Sequence, residues 1–136
     1  MKLTLIITTY NWPESLLLVL DSIKNQTIIP NEVIIADDGS NCKTLDSIKK
    51  YTENSNLNII HSWQEDIGFR AARSRNKAIS KSTGDYIILI DGDTILHRDF
   101  IKDHALNRDL GLEHLHEMPG DRLTFAVLIC RQQEII

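Results

Sequence analysis

Three short strand-like stretches in the first ninety residues are apolar without interruption: Leu5-Ile6-Ile7, Val33-Ile34-Ile35-Ala36 and Ile87-Ile88-Leu89-Ile90. A strand with one wet face alternates apolar and polar residues. Continuous runs of Ile and Val instead require burial on both faces, the condition of a parallel sheet covered by helices. The intervening segments have helical spacing. Pro13 stands where a helix takes its first turn, followed by Leu16, Leu17, Val19, Leu20 and Ile23. Ser40 or Asn41 can cap a second helix through Leu45, Ile48 and Tyr51, and Phe69 to Ser80 reads as a third, rich in Ala, Arg and Lys. With Leu3 to Thr8, Glu32 to Ala36, Leu57 to His61 and Ile87 to Ile90 as strands, the order is β-α-β-α-β-α-β. That alternation predicts a doubly wound α/β fold with right-handed crossovers. Beyond Asp93 the pattern weakens: His97 to Leu110 reads as a helix, Gly111 to Arg122 has no clear period, and Leu123 to Cys130 is a short strand-like run.

In open α/β sheets ligands bind just past the carboxyl ends of the strands. Here the last strand runs into Asp91-Gly92-Asp93, the first into Thr8-Thr9-Tyr10-Asn11 and the second into Asp37-Asp38-Gly39-Ser40, so three polar loops should converge on one crevice. Asp91 and Asp93, one residue apart, can hold a divalent cation jointly or divide the work between metal and ribose, and the glycine between them lets a ligand approach the backbone closely. A carboxylate in the crevice can accept from a ring N–H or a sugar hydroxyl, and Tyr10 can stack on a base. A fourth element, Gln64-Glu65-Asp66-Ile67-Gly68-Phe69-Arg70, opens the Arg-rich helix where guanidinium and backbone N–H groups can meet a diphosphate. Arg73 and Arg75 differ in helical phase, so at most one of them faces the crevice.

With 136 residues and 42% hydrophobic content the chain can bury one core. A net charge of −4 leaves no basic footprint for nucleic acid. The apolar stretch at the amino terminus is too short for a signal peptide or a bilayer span, which predicts a cytoplasmic protein. Cys42 and Cys130 lack neighbours at ligand spacing, so neither a disulfide framework nor a zinc site is expected.

In this order the motifs resemble the inverting nucleotide-sugar glycosyltransferases of family 2, with their GT-A fold, and most of all the amino-terminal domain of chondroitin polymerase and its bacterial relatives. The matching pieces are Thr8 to Asn11, Ile34 to Ser40, Gln64 to Arg70, Arg75 to Ile79 and Gly84 to Asp93. The likeness extends from Lys2 to about His104. It implies a nucleotide-sugar-binding core over residues 1–104, with 105–136 as a divergent extension of the same domain. It also implies a UDP-sugar donor, a glycan or polysaccharide acceptor, and Mn²⁺ or Mg²⁺. By the resemblance, Thr8, Tyr10 and Asp38, with Asp37 beside them, contact the nucleobase and ribose. Arg70 or Arg75 approaches the base or diphosphate, Asp91 the ribose or sugar, and Asp93 coordinates the metal.

The family's general base, in a later acidic segment, has no counterpart. Asp109, Glu113, Glu117 and Asp121 are the acidic residues to test, and Glu113-His114-Leu115-His116-Glu117 lacks the expected Gly and Trp context. The expectation is a shortened family member that keeps the donor half and lacks most of the acceptor half. Its exposed sheet favours self-association, and the reading admits peripheral association with a membrane. The alternative is a nucleotide-sugar-binding module without turnover. Against a third reading, a nucleotidyltransferase or dinucleotide-binding protein, stands the lack of any G-x-G-x-x-G after the first strand or G-x-x-x-x-G-K-[ST] anywhere.

Overall fold

A computed structural model describes residues 1–107 and the two residues 129–130. Its elements in chain order are β1 (Leu3–Thr9), α1 (Pro13–Lys24), β2 (Glu32–Asp37), α2 (Cys42–Glu53), β3 (Ile59–Trp63), α3 (Ala71–Lys81), β4 (Tyr86–Asp91), α4 (Phe100–Asn107) and β5 (Ile129–Cys130). The sheet order is β3-β2-β1-β4-β5, with β1 to β4 mutually parallel and β5 antiparallel to β4. The chain therefore steps outward from β1 to β3, then crosses back so that α3 delivers β4 to the other side of β1. No described helix is long and apolar enough to cross a membrane.

The uninterrupted apolar runs are explained by two cores, one on each face of the sheet. Leu5, Ile7, Val33, Ile35, Ile88 and Ile90 pack with Leu16, Val19, Leu20 and Ile23 of α1, Ile48 of α2 and Phe100 and Ile101 of α4. Ile6, Ile34, Ala36, Ile87 and Leu89 point the other way and pack with Ala78 of α3. Alternate residues of each strand thus serve opposite cores, as the pleat requires. The doubly wound expectation holds element by element.

Boundaries moved where side chains claimed backbone groups. β3 starts and ends two residues later than expected, because its ladder follows β2 from Val33↔Ile59 to Asp37↔Trp63. α3 begins at Ala71 rather than Phe69, since Asp38 Oδ2 accepts from Arg70 N at 2.7 Å and holds that residue outside the helix. α4 begins at Phe100 rather than His97. Asn41, one of the two candidate caps, caps α2, its side chain accepting from Thr44 N. The strand expected over Leu123 to Cys130 is represented by Ile129–Cys130, and the aperiodic segment 111–122 lies outside the described residues.

Glu32 is a buried carboxylate at the opposite edge of the sheet from the crevice. Its Oε1 accepts from Thr4 Oγ1 and from Thr83 N, both at 2.6 Å, and its Oε2 from Thr83 Oγ1 at 2.8 Å, tying β2 to β1 and to the turn before β4. Burial alone would raise its pKa, but the hydrogen bonds from Thr4 and Thr83, with the charge of Lys2, outweigh it and hold the group below the ordinary carboxylate range. A carboxylate depressed in the folded state adds stability above its unfolded pKa and loses it as pH falls through the folded value. Glu32→Gln should therefore cost about 1–3 kcal/mol at neutral pH. In denaturant titrations the gap between variant and wild type should close as the solution is acidified; a gap independent of pH would contradict the assignment.

Candidate nucleotide-sugar site

The loops leaving β1, β2, β3 and β4 meet around a cavity of about 510 Å³ lined by Thr8, Tyr10, Trp12, Asp38, Asp66, Phe69, Ser74, Arg75, Asp91 and Asp93, among others. That volume suits a small-molecule ligand. The site lies at the switch point of the sheet, where β1 has β2 on one side and β4 on the other.

The loop after β1 is locked to the loop after β2 through Asn11. This residue adopts a left-handed conformation (φ 47°), which Asn tolerates better than most side chains. Its N–H donates to Ser40 Oγ at 2.9 Å and its Oδ1 accepts from Asn41 N at 2.7 Å. The neighbouring Tyr10 hydroxyl donates to Asp66 Oδ2 at 2.9 Å, reaching the loop after β3. That hydrogen bond to the Asp66 carboxylate raises the Tyr10 phenol above its ordinary pKa and keeps it protonated.

Asp37 and Asp38 have separate tasks. Asp37 is fully buried. Its Oδ1 accepts from Ser40 N at 2.8 Å and its Oδ2 pairs with His61 Nε2 at 2.8 Å, so it shapes the turn rather than lining the cavity. Asp38 does line the cavity, and it also anchors the loop after β3, with Oδ1 accepting from Gln64 Nε2 at 2.6 Å and Oδ2 from Arg70 N. Each carboxylate oxygen keeps a further lone pair for a ligand N–H or O–H.

The arginines also divide. Arg75 lines the cavity and its Nη2 stands 3.4 Å from Asp91 Oδ1, which also accepts from Thr8 Oγ1 at 3.1 Å. Arg70 is not brought to the cavity wall: its Nη2 donates to Glu65 O at 2.8 Å, because Asp38 captures its backbone and turns the side chain back along its own loop. Arg73 is exposed and does not line the cavity either, in keeping with its different helical phase.

Asp91 and Asp93 both border the cavity, and Gly92 between them has a second task besides the one expected. A Cβ at Gly92 would collide with the Thr8 carbonyl oxygen, so the glycine is required by the close approach of the β1 backbone, and it lines the cavity as well. Among the described residues no group of three or more His, Cys, Asp and Glu is placed to hold a metal ion. Asp91 and Asp93 would offer a hard cation two carboxylates, a set that fits Mn²⁺ or Mg²⁺ with phosphate oxygens and waters completing its shell.

Two lining residues escaped the sequence reading. Ser74 Oγ is buried in the cavity wall without a hydrogen-bond partner, and Trp12 stands on the rim, 55% exposed. A buried orphan hydroxyl costs free energy unless a ligand or water satisfies it. Neither residue belongs to a recognisable motif, since a Ser in a helix and a Trp beside Pro are common; only their placement marks them.

Residues 4–106 match the family described as glycosyl transferase family 2. The chain belongs to that family. It is 39% identical over 101 residues to the O-antigen chain rhamnosyltransferase RfbN of Salmonella typhimurium, covering 71% of this chain and 29% of that protein. Among solved structures it resembles Staphylococcus aureus TarS 1–349 in complex with UDP-GlcNAc, with a TM-score of 0.65 and 28% identity over 81% of this chain and 32% of that one. It also resembles the mannosyltransferase PcManGT of Pyrobaculum calidifontis in complex with GDP-Man and Mn²⁺, with a TM-score of 0.57 and 26% identity over 68% of this chain and 27% of that one. The sheet is the GT-A sheet of these family 2 enzymes, and the chain spans less than a third of each of these relatives' length.

In this family 2 site the loops after β2 and β3 cross closely at Gly39. Gly39 has φ +95°, and a Cβ there would stand 2.5 Å from Asp66 Cα. Gly39→Ala should destabilise the chain by about 1–3 kcal/mol through the clash and the disfavoured φ. Unfolding by urea would measure this, and a neutral substitution would show that the two loops do not cross as described.

Proposed function

We propose that residues 1–104 form the donor-binding core of a metal-dependent, inverting glycosyltransferase that takes a UDP-sugar and passes the sugar to a glycan or polysaccharide acceptor. The observation that carries this is the convergence of Thr8, Tyr10, Asp38, Arg75, Asp91 and Asp93 on one cavity. The UDP-GlcNAc in TarS 1–349 supports a uridine nucleotide, and the Mn²⁺ in PcManGT supports a divalent cation.

In this reading Tyr10 stacks on the uracil, its hydroxyl held by Asp66, while Asp38 accepts from the base or ribose with its remaining lone pairs. Arg75 meets the diphosphate from the first turns of α3 and holds Asp91 in place for a ribose or sugar hydroxyl. Asp93, with Asp91 beside it, would hold Mn²⁺ or Mg²⁺, which supplies a Lewis acid for the charge on the departing nucleoside diphosphate. Inversion requires a base to take the proton of the acceptor hydroxyl as it attacks the anomeric carbon. Asp109, Glu113, Glu117 and Asp121, which lie outside the described residues, are the acidic residues to replace in turn. Loss of transfer with binding retained identifies the base. Absence of transfer from the unsubstituted chain favours the alternative, a nucleotide-sugar-binding module.

Isothermal titration with UDP, with and without Mn²⁺, tests the donor site. Mn²⁺ should tighten binding, and Asp93→Ala should abolish that dependence while leaving weaker metal-free binding. UDP that fails to bind, or Mn²⁺-dependence unaffected by Asp93→Ala, overturns the assignment.

A further inference from the structure

Four large apolar side chains stand exposed on the loops around the cavity: Tyr10, Trp12, Ile67 and Phe69. Three of them line it. Single exposed apolar residues are ordinary, but several gathered on one cavity rim mark a ligand surface. Tyr10 is accounted for by the nucleobase. Trp12 is not, and its position separates it from Tyr10.

β1 lies between β2 and β4, so the loop that leaves it can lean to either side. Tyr10 leans toward the β3 side, where its hydroxyl meets Asp66. After the left-handed turn at Asn11 the chain enters α1 on the β4 side, where Ser15 Oγ donates to Gly92 O at 2.9 Å. That bond fixes the first turn of α1, with Trp12 at its N-cap, against the Asp91-Gly92-Asp93 turn. The Trp12 side chain makes no capping hydrogen bond there. An exposed aromatic ring and the Asp91 and Asp93 carboxylates thus border one cavity, with the first turn of α1 tied to the turn between the two carboxylates. A pyranose has the matching amphipathic shape: axial C–H groups that pack on an aromatic ring, and hydroxyls that donate to carboxylates.

We infer that Trp12 is a specificity-determining residue for the donor sugar, packing against the pyranose ring while Asp91 or Asp93 receives its hydroxyls. The inference rests on the nucleotide-sugar reading of the cavity, and its test separates the two. UDP and a panel of UDP-glucose, UDP-galactose and UDP-GlcNAc are titrated against wild type, Trp12→Ala and Trp12→Phe in the presence of Mn²⁺. Trp12→Ala should weaken the tightest-binding UDP-hexose about two- to twelve-fold, the scale of one aromatic contact. UDP itself should stay within about twofold, and Trp12→Phe should restore part of the loss. Equal weakening of UDP and UDP-hexose would make Trp12 a nucleotide platform or a folding residue and overturn the inference. So would unchanged UDP-hexose binding in Trp12→Ala, or UDP that binds where no UDP-hexose does. UDP that fails to bind wild type overturns the nucleotide reading itself.

Discussion

Everything in this structure depends on β1 being buried on both faces. Leu5 and Ile7 serve one core and Ile6 the other. Its two neighbours β2 and β4 run parallel to it, because each is reached only after a helix has covered the sheet. Parallel pairing in turn brings the carboxyl ends of β1 to β4 to one edge. The convergence of polar loops on a single cavity is therefore a consequence of how the core is covered.

That edge is built from carboxylates with unequal duties. Asp37 is spent on Ser40 and His61. Asp38 is shared between loop anchoring and the cavity, while Asp91 is steadied by Thr8 and Arg75. The gradient has a physical logic: a buried carboxylate must have its oxygens satisfied by the protein, whereas one at the cavity wall can leave lone pairs for a ligand. At the opposite edge, Glu32 carries this to its limit, with both oxygens engaged by Thr4 and Thr83.

Much of this was legible in the residues. Pro13 at the start of α1, Asn41 at the cap of α2 and the uninterrupted Ile and Val runs each state a local preference that the fold obeys. The turns after β2 and β4 were legible too, since Asp37-Asp38-Gly39 and Asp91-Gly92-Asp93 each follow an apolar run. What escaped were groups whose role depends on a partner far along the chain. Arg70 reads as a phosphate ligand until Asp38, thirty-two residues earlier, takes its backbone N–H and Glu65 takes its guanidinium. That Gly92 must also make way for the Thr8 carbonyl shows only once β1 is laid beside it.

The sequence by itself determined the order of strands and helices, the parallel character of the sheet and the set of residues able to stand at its carboxyl edge. These follow from periodicity and from the double burial of the strands, which are properties of neighbouring residues. Only the tertiary structure decided which of those residues face the cavity. It selected Arg75 over Arg70 and Arg73, drew Asp37 inward, and put Ser74 and Trp12 in the wall. Such choices rest on hydrogen bonds and close contacts between loops that meet only once the sheet has assembled, and no local preference encodes them.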